Sequence, residues 1–277
     1  MEKKVSVDNL TLVGNLVVSK FDSVLKKDTR YINKRYRSSN FLYDWTYQLV
    51  GGVMFETGKR QGEDVARLEF NPNKVVTEEQ KELIQTLINC MKYVDPSRID
   101  VAIDIRGIEM NDYVIVDDKS RKRVYYVDGV GRMETTYIGS STGDLRIRIY
   151  DKAKERETEG IEVDGSWWRI ESQLRGKLVK HYKYFNPYED ITLVPKNADL
   201  SHIKNFNQKM TIKHLLEHPE DLREASQNTR LKYKKILKDL VESNSTIDFK
   251  SIYNEYKSEI NWTLYTYIKH SRINDVF

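Results

Sequence analysis

Runs of alternating side chains recur along the first two thirds of the chain and stop near Pro195, and this pattern limits the fold more than anything else in the sequence. "LTLVGNLVV" from Leu10 to Val18, "VARLEFNPN", "RIDVAIDIRG", "RVYYVDG", "ETTYIGS", "DLRIRIYDKAKERE" and "SWWRIESQLR" each read as strands, because neighbouring side chains in a strand point to opposite faces. Gly129 and Gly131 punctuate a hairpin-like pair. Between the strands, "TEEQKELIQTLINCMKYV" has helical spacing, with Thr77 as N-cap, acids in its first turn, and Leu83, Ile84, Leu87, Ile88 and Met91 on one face. A second helix is expected from Gly176 to Tyr184. From about residue 200 onward only helical patterns remain, the last with Ile252, Tyr256, Ile260, Leu264 and Ile268 on one side. The expectation is an α+β fold: an antiparallel-rich β-sheet body with flanking helices over residues 1–199, then a helical region over 200–277. "ARLEFNP" and "WRIESQLR" each place an Arg two residues ahead of a Glu, a faint internal echo.

The 277 residues, 39% of them hydrophobic, suffice for a core. A net charge of +4 does not by itself name nucleic acid, so local distribution decides. The stretch "SKFDSVLKKDTRYINKRYR" holds seven Lys or Arg against two Asp, with Tyr31 and Tyr36 interleaved. Such a block is either a solvated face or a track for phosphates and bases, the latter reading covering Lys26 to Arg37. The single cysteine, Cys90, lies in an apolar pattern and fits a reducing compartment. No run approaches the ~18 apolar residues of a membrane span, and the N-terminus lacks a signal-peptide core, so a cytoplasmic protein is expected.

Several patterns carry chemistry. Asp100 and Asp104 share a face inside an otherwise apolar strand, so each needs a cation, hydrogen bonds or a metal. Glu171 lies on the face of Arg169 and Gln173. Oxygen ligands of this kind would suit Mg²⁺ or Mn²⁺. "HLLEH", His214 to His218, matches an inverted zinc-protease spacing, but Pro219 ends the helix that would support it. "GGVMFETGK" fails as a phosphate loop, with Arg60 where Ser or Thr is needed. Among 18 tyrosines, Tyr150 stands out because Arg146, Arg148 and Lys152 share its face. Cations there favour phenolate and hold an incoming phosphodiester. Tyr137, beside a glycine turn, is the competing candidate.

"LTLVGNL", "RLEFNPNK", "RIDVAIDI", "TTYIGSSTGDLRIRIYDKAKERE" and "WRIESQLR", in this order, resemble the Rep_trans family, the rolling-circle replication initiators of small staphylococcal plasmids and their relatives. The likeness runs from about residue 10 to about 240. It implies a metal-dependent DNA nicking-closing enzyme, a topoisomerase-like strand transferase acting at a plasmid double-strand origin. Tyr150 matches the attacking tyrosine that forms a 5′-phosphotyrosine and leaves a free 3′-OH primer, with Arg148 and Lys152 in support. The family pattern runs on with lysines that Lys152 and Lys154 match only approximately. Asp100, Asp104 and Glu171 match acidic positions expected to bind or support the metal, Mg²⁺ or Mn²⁺. The basic helical stretch Ser226, Gln227, Asn228, Thr229, Arg230, Lys232 and Lys234 matches the segment that recognises the origin, an inverted repeat nicked as a single strand. A homodimer and a host replicative helicase are the implied partners. The segment ahead of "LTLVGNL" is short, so no longer N-terminal arm is expected. A conjugative relaxase and a non-catalytic DNA-binding repressor or scaffold are the alternative readings.

Overall fold

The computed structural model describes residues 2–27, 32–119, 121–242 and 247–268. Twelve strands and seven α-helices are present among them: β1 (Glu2–Leu16), α1 (Val18–Lys27), β2 (Ile32–Arg37), β3 (Trp45–Leu49), β4 (Met54–Arg60), β5 (Glu63–Phe70), α2 (Glu78–Asn89), β6 (Met91–Arg106), β7 (Tyr113–Asp117), β8 (Arg123–Val127), β9 (Met133–Ile138), β10 (Leu145–Asp151), α3 (Lys152–Thr158), β11 (Trp167–Arg175), α4 (Gly176–Lys180), β12 (Ile191–Pro195), α5 (Phe206–Glu217), α6 (Gln227–Glu242) and α7 (Phe249–Ile268). The α+β expectation holds: ten strands make one antiparallel sheet in the order β2-β3-β4-β5-β1-β6-β11-β10-β9-β8.

Period-two alternation gives this sheet two unlike faces. Leu10, Leu12, Leu68, Phe70, Ile99, Ile103, Ile147, Ile149 and Ile170 are buried on one of them. There they meet Phe21 of α1, the apolar side of α2, Val179 of α4 and the inner side of α7. Each such side chain contributes about 1.5–3 kcal/mol on burial. The other face carries Thr11, Arg67, Glu69, Asp100, Asp104, Arg169, Glu171, Arg148 and Tyr150, in register across neighbouring strands. Asp100, Asp104, Glu171, Tyr150, Arg146 and Arg148, singled out in the sequence, all lie on this face.

Outward from the central β1–β6 pair the strand order is the same on both sides: β5-β4-β3-β2 on one, β11-β10-β9-β8 on the other. The echo between "ARLEFNP" and "WRIESQLR" is therefore structural. Arg67 and Glu69 on β5 occupy the places that Arg169 and Glu171 hold on β11.

Several boundaries differ from the sequence reading. β1 starts at Glu2, so the segment ahead of "LTLVGNL" is strand rather than arm. Thr77 caps α2 through a reciprocal capping box with Gln80, but the helix ends at Asn89 and Met91 opens β6. α4 stops at Lys180, short of Tyr184. β7 and β12, unexpected from the sequence, pair in a small separate sheet. That sheet packs with α5 and α6 around Val114, Val194, Ile212, Leu216, Leu237 and Leu240. α7 returns to the main core, where Ile252, Tyr253, Ile260 and Leu264 are buried and Tyr253 meets the ring of Tyr188. The small sheet faces both ways, with Val114, Val116 and Val194 against α5 and α6 and Ile115, Ile191 and Leu193 in the main core, which α7 also joins.

Gly139 turns the chain from β9 into β10 with φ +100°, and a Cβ there would lie 2.5 Å from the Leu145 carbonyl oxygen. Gly139→Ala is expected to destabilise the fold by more than about 2 kcal/mol, read as a lowered urea midpoint, because it adds left-handed strain to a backbone clash.

Candidate nicking site on the polar sheet face

β10 delivers Tyr150 to the polar face one residue before the strand ends, opposite Arg169 of β11 and Thr135 of β9. Its side chain is only 3% exposed. The Arg148 guanidinium lies 3.8 Å from the ring centroid and the Lys152 ammonium 5.7 Å away. Lys152 is the first residue of α3, whose N-cap is Asp151, so proximity here comes from the turn into the helix and not from a shared strand face. Lys152 pairs with Glu155, which also stands 4.0 Å from Arg148.

The expectation of a phenolate held in a positive field is corrected by this geometry. Burial pushes the Tyr150 phenol well above its ordinary pKa, and the fields of Glu171 and Glu155 add to it, against the opposing pull of Arg169 and Arg148. The resting phenol is neutral.

Arg169 is the cation best fixed in the site. Its Nε and Nη2 donate to the two Asp104 carboxylate oxygens at 2.7 and 2.8 Å, and Nη1 donates to Asp8 at 3.2 Å. Trp167 Nε1 donates to Asp104 as well, at 2.9 Å. Asp8 sits where the β1–β6 register slips between Val7 and Asn9, and it accepts from Asn71 at 3.1 Å. Arg169 and Lys152, which flank Tyr150, both line a cleft of about 490 Å³ together with Lys4, Lys74, Arg106 and Arg156.

The three carboxylates expected at a metal do not converge. Asp100 is gripped by Arg98 through Nε at 2.8 Å and through Nη2, and Asp104 is taken up by Arg169 and Trp167. Four residues of strand separate them, roughly 13 Å, whereas a divalent ion needs its oxygens within about 2.6 Å. Glu171 lies between them, opposite Ala102. Among the described residues no group of three His, Cys, Asp or Glu side chains could hold a metal. Glu171 differs from the two aspartates in its donor, accepting from Gln173 at 3.3 Å and not from an arginine; burial and the neighbouring charge of Asp8 raise its pKa, as burial raises that of Asp100. Glu171 with Asp8 is the acidic pair that a cation would relieve. A hard ion held by one or two carboxylates plus substrate phosphate does not need a third.

In the helical region, α6 begins one residue after Ser226, whose hydroxyl accepts the Thr229 backbone N–H at 3.3 Å. Gln227, Asn228 and Lys232 are exposed, and Thr229 and Arg230 are half-buried. Lys234 does not present itself outward as expected: its ammonium donates to the Asp117 and Asp118 carbonyls, at 2.5 and 2.9 Å, and ties α6 to the end of β7. Exposed Lys235 stands beside Lys232 instead. Of the basic block from Lys26 to Arg37, residues 28–31 lie outside the described ones, and residues 32–37 form edge strand β2, with Arg35 and Arg37 stacked on Trp45 at 4.0 and 4.3 Å. His214 and His218 close no zinc site. α5 ends at Glu217, and His214 pairs with Asp221 at 2.6 Å.

With this geometry in place, comparison with known proteins supplies the kinship. A replication initiation protein of Staphylococcus aureus is 29% identical over 248 residues, covering 86% of this chain and 76% of the relative. A second from the same organism is 28% identical over 254 residues, covering 88% and 78%. The chain is a relative of these replication initiation proteins. The resemblance drawn from the five ordered motifs holds at that level. No protein-family model matches the chain. A solved structure of the rolling circle replication initiator protein from Geobacillus stearothermophilus aligns with 73% of this chain and 90% of its own, at 14% identity and a TM-score of 0.48. Among the described residues no helix is long and apolar enough to cross a membrane.

Sequence reasoning missed Asp8, Glu155 and Trp167. Asp8 reaches Arg169 through a strand bulge, which no alternation pattern reveals. Trp167 lies in the quoted "SWWRIESQLR" and could have been found from its place two residues ahead of Arg169.

Burial holds the Asp100 carboxyl at about 7, against the pull of Arg98. A carboxyl whose folded pKa lies above its unfolded value stabilises fully below the unfolded value and loses that contribution as pH rises through the folded one. Glu171 acts in the same direction. Stability in urea should fall by roughly 1–3 kcal/mol between about pH 5 and pH 8, and fall less in Asp100→Asn. An unchanged slope in the variant would show that Asp100 ionises freely.

Proposed function

We propose that this protein initiates rolling-circle replication by a sequence-specific nick in a plasmid double-strand origin, with Tyr150 as the nucleophile. The observation that carries the reading is the Arg148 guanidinium seated 3.8 Å over the Tyr150 ring, on a face shared with Arg169 and opening at Lys152 and Arg169 onto a cleft lined by six Lys or Arg and four Asp or Glu side chains. Kinship with proteins named for replication initiation supports it.

The Tyr150 phenol oxygen attacks the scissile phosphorus. A bond from phosphorus to that oxygen forms, and the bond to the 3′ oxygen of the upstream strand breaks. The 3′ oxygen takes a proton from solvent and becomes the primer hydroxyl, while the downstream strand stays on the protein as a 5′-phosphotyrosine. The phenol proton leaves during attack, and Glu155, whose field reaches the phenol, is the carboxylate proposed to receive it. Arg148 and Arg169 stabilise the charge that develops on phenol and phosphate oxygens. Glu171, with Asp8 beside it, would hold Mg²⁺ or Mn²⁺. When bound, that ion supplies positive charge at the scissile phosphate. Rejoining runs the same steps backward, with a 3′ hydroxyl attacking the phosphotyrosine. The exposed residues of α6, Asn228 and Lys232 above all, are suited to origin contacts. A homodimer and a replicative helicase complete the proposal as partners.

Supercoiled plasmid carrying the cognate origin tests it. Tyr150→Phe should lose nicking by at least about 1000-fold, since no other group replaces the nucleophile, while Tyr137→Phe should keep it, and chelation of divalent ions should stop the wild type. Continued cutting by Tyr150→Phe would refute the assignment. A wild type that binds the origin without ever cutting would favour the repressor reading.

A further inference from the structure

β8 is the outermost strand on the Tyr150 side of the large sheet, and it carries side chains on the reactive face that neither the core nor the nicking chemistry uses. Tyr126 is 56% exposed there and Val124 beside it 40%. Both point to the polar face, since Tyr126 lies opposite Thr135 and Val124 opposite Tyr137, residues that in turn lie opposite Tyr150 and Arg148. The Tyr126 ring meets that of Tyr137 edge-on, with centroids 6.0 Å apart at 77°. Arg146 lies 4.0 Å from the Tyr137 ring and Arg148 5.9 Å from it, and Arg148 then reaches Tyr150. Tyr126, Tyr137, Arg146, Arg148 and Tyr150 therefore form one continuous row, with an exposed ring at the open sheet edge and the reacting phenol at its inner end.

Two features of this row point to a ligand. The Nε atoms of Arg146 and Arg148 are both buried without a hydrogen-bond acceptor among the described residues, and a buried N–H left unpaired is costly. Tyr126 is exposed, and the half-buried Tyr137 it touches is flanked by the Arg146 and Arg148 guanidinium groups and not by an apolar pocket, which suits a partner that alternates flat rings with anions. Single-stranded DNA is such a partner: bases stack on aromatic side chains in any sequence, and phosphates meet the cations between.

We infer that Tyr126 and Tyr137 form a stacking platform for bases of single-stranded DNA beside the scissile phosphate, with Arg146 and Arg148 holding the phosphates between them. This rests on the reading of Tyr150 as nucleophile, because the platform's use is to feed the strand toward that phenol.

Fluorescence anisotropy of the full chain, in a Tyr150→Phe background so that nothing is cut, tests the platform with a labelled thymidine oligonucleotide of about ten nucleotides. Tyr126→Ala should weaken binding by about 5- to 50-fold and Tyr126→Phe by less than about 2-fold. An abasic oligonucleotide of the same length should bind more weakly and should not distinguish Tyr126→Ala from its parent. Equal affinity of Tyr126→Ala and parent for the thymidine oligonucleotide would overturn the inference. So would an affinity loss as large with the abasic strand, which would assign the effect to phosphates alone. A fall in oligomer mass with unchanged affinity per protomer would overturn it too, and would make β8 a contact between copies. The two failures are distinguishable: nicking by Tyr150→Phe sinks the nucleophile and with it the platform's stated use, while intact oligonucleotide binding by Tyr126→Ala sinks the platform alone.

Discussion

Arg169 is the interaction on which the site depends, because one guanidinium joins three strands of the sheet. From β11 it clamps Asp104 of β6 with two parallel hydrogen bonds and reaches Asp8 of β1 with a third. Bidentate pairing of this kind fixes direction as well as distance. Tyr150 lies directly opposite on the next strand, so the guanidinium is fixed on the same face as the phenol. The two aspartates and the Trp167 indole thus act as positioning groups, and Asp104 is more occupied with orienting an arginine than available to a metal. Neutralising so many charges on one face also explains how a row of acids survives burial on a sheet whose opposite side is apolar.

The first half of the sheet shows the same arrangement without the chemistry. Reading inward from the edge, Tyr36, Thr46, Glu56 and Arg67 are opposite one another in turn, and Tyr126, Thr135, Tyr150 and Arg169 repeat that row on the other side. The adjacent row runs Lys34, Gln48, Met54 and Glu69 on one side, against Val124, Tyr137, Arg148 and Glu171 on the other. Glu56 therefore stands where Tyr150 does, and Met54 where Arg148 does. Glu56 is buried and fully engaged: it accepts from Ser38 at 2.6 Å, from Thr46 at 3.1 Å and from Arg67 at 2.5 Å. A carboxylate closed in this way repels phosphate and offers no nucleophile, so the geometry of the row alone does not make a nicking site. The two sides differ in the phenol and in the arginine above it, the groups that the proposed nick would use.

Much of this was legible in the sequence for a simple reason. Alternation survives in a sheet with one apolar and one polar face, so "RIDVAIDI" and "DLRIRIYD" announced both the strands and which side chains share a face. Thr77 likewise announced its helix through the capping pattern. What stayed hidden depends on contacts distant in sequence. Nothing in "SVDNL" says that a register slip turns Asp8 toward Arg169, and nothing in "RLKYKK" says that Lys234 is spent on two carbonyls of a small sheet 116 residues away. That small sheet was missed because "YVIVD" and "ITLVP" are short apolar runs with no clean alternation. The metal triad failed for a related reason. A shared strand face is necessary for two carboxylates to meet, but spacing along the strand decides whether they can touch one ion, and four residues is too far.

With Tyr150 as the proposed nucleophile, its neutral resting state bears on how attack on the wrong phosphate would be avoided. A phenol ionised at rest would be a competent nucleophile against any strand that drifted into the cleft. Here burial keeps the proton on, and Glu155, from the first turns of α3, offsets Lys152 and stands near Arg148. The cations that would favour phenolate are thus partly cancelled until something anionic competes for them. In the proposed reaction a phosphate entering beside Arg148 and Lys152 would draw those groups away from Glu155, and the freed carboxylate would be a better proton acceptor for the phenol. Substrate binding and nucleophile activation would then be one event, because the same two cations would serve both, and a strand that did not seat its phosphate on them would leave Tyr150 protonated.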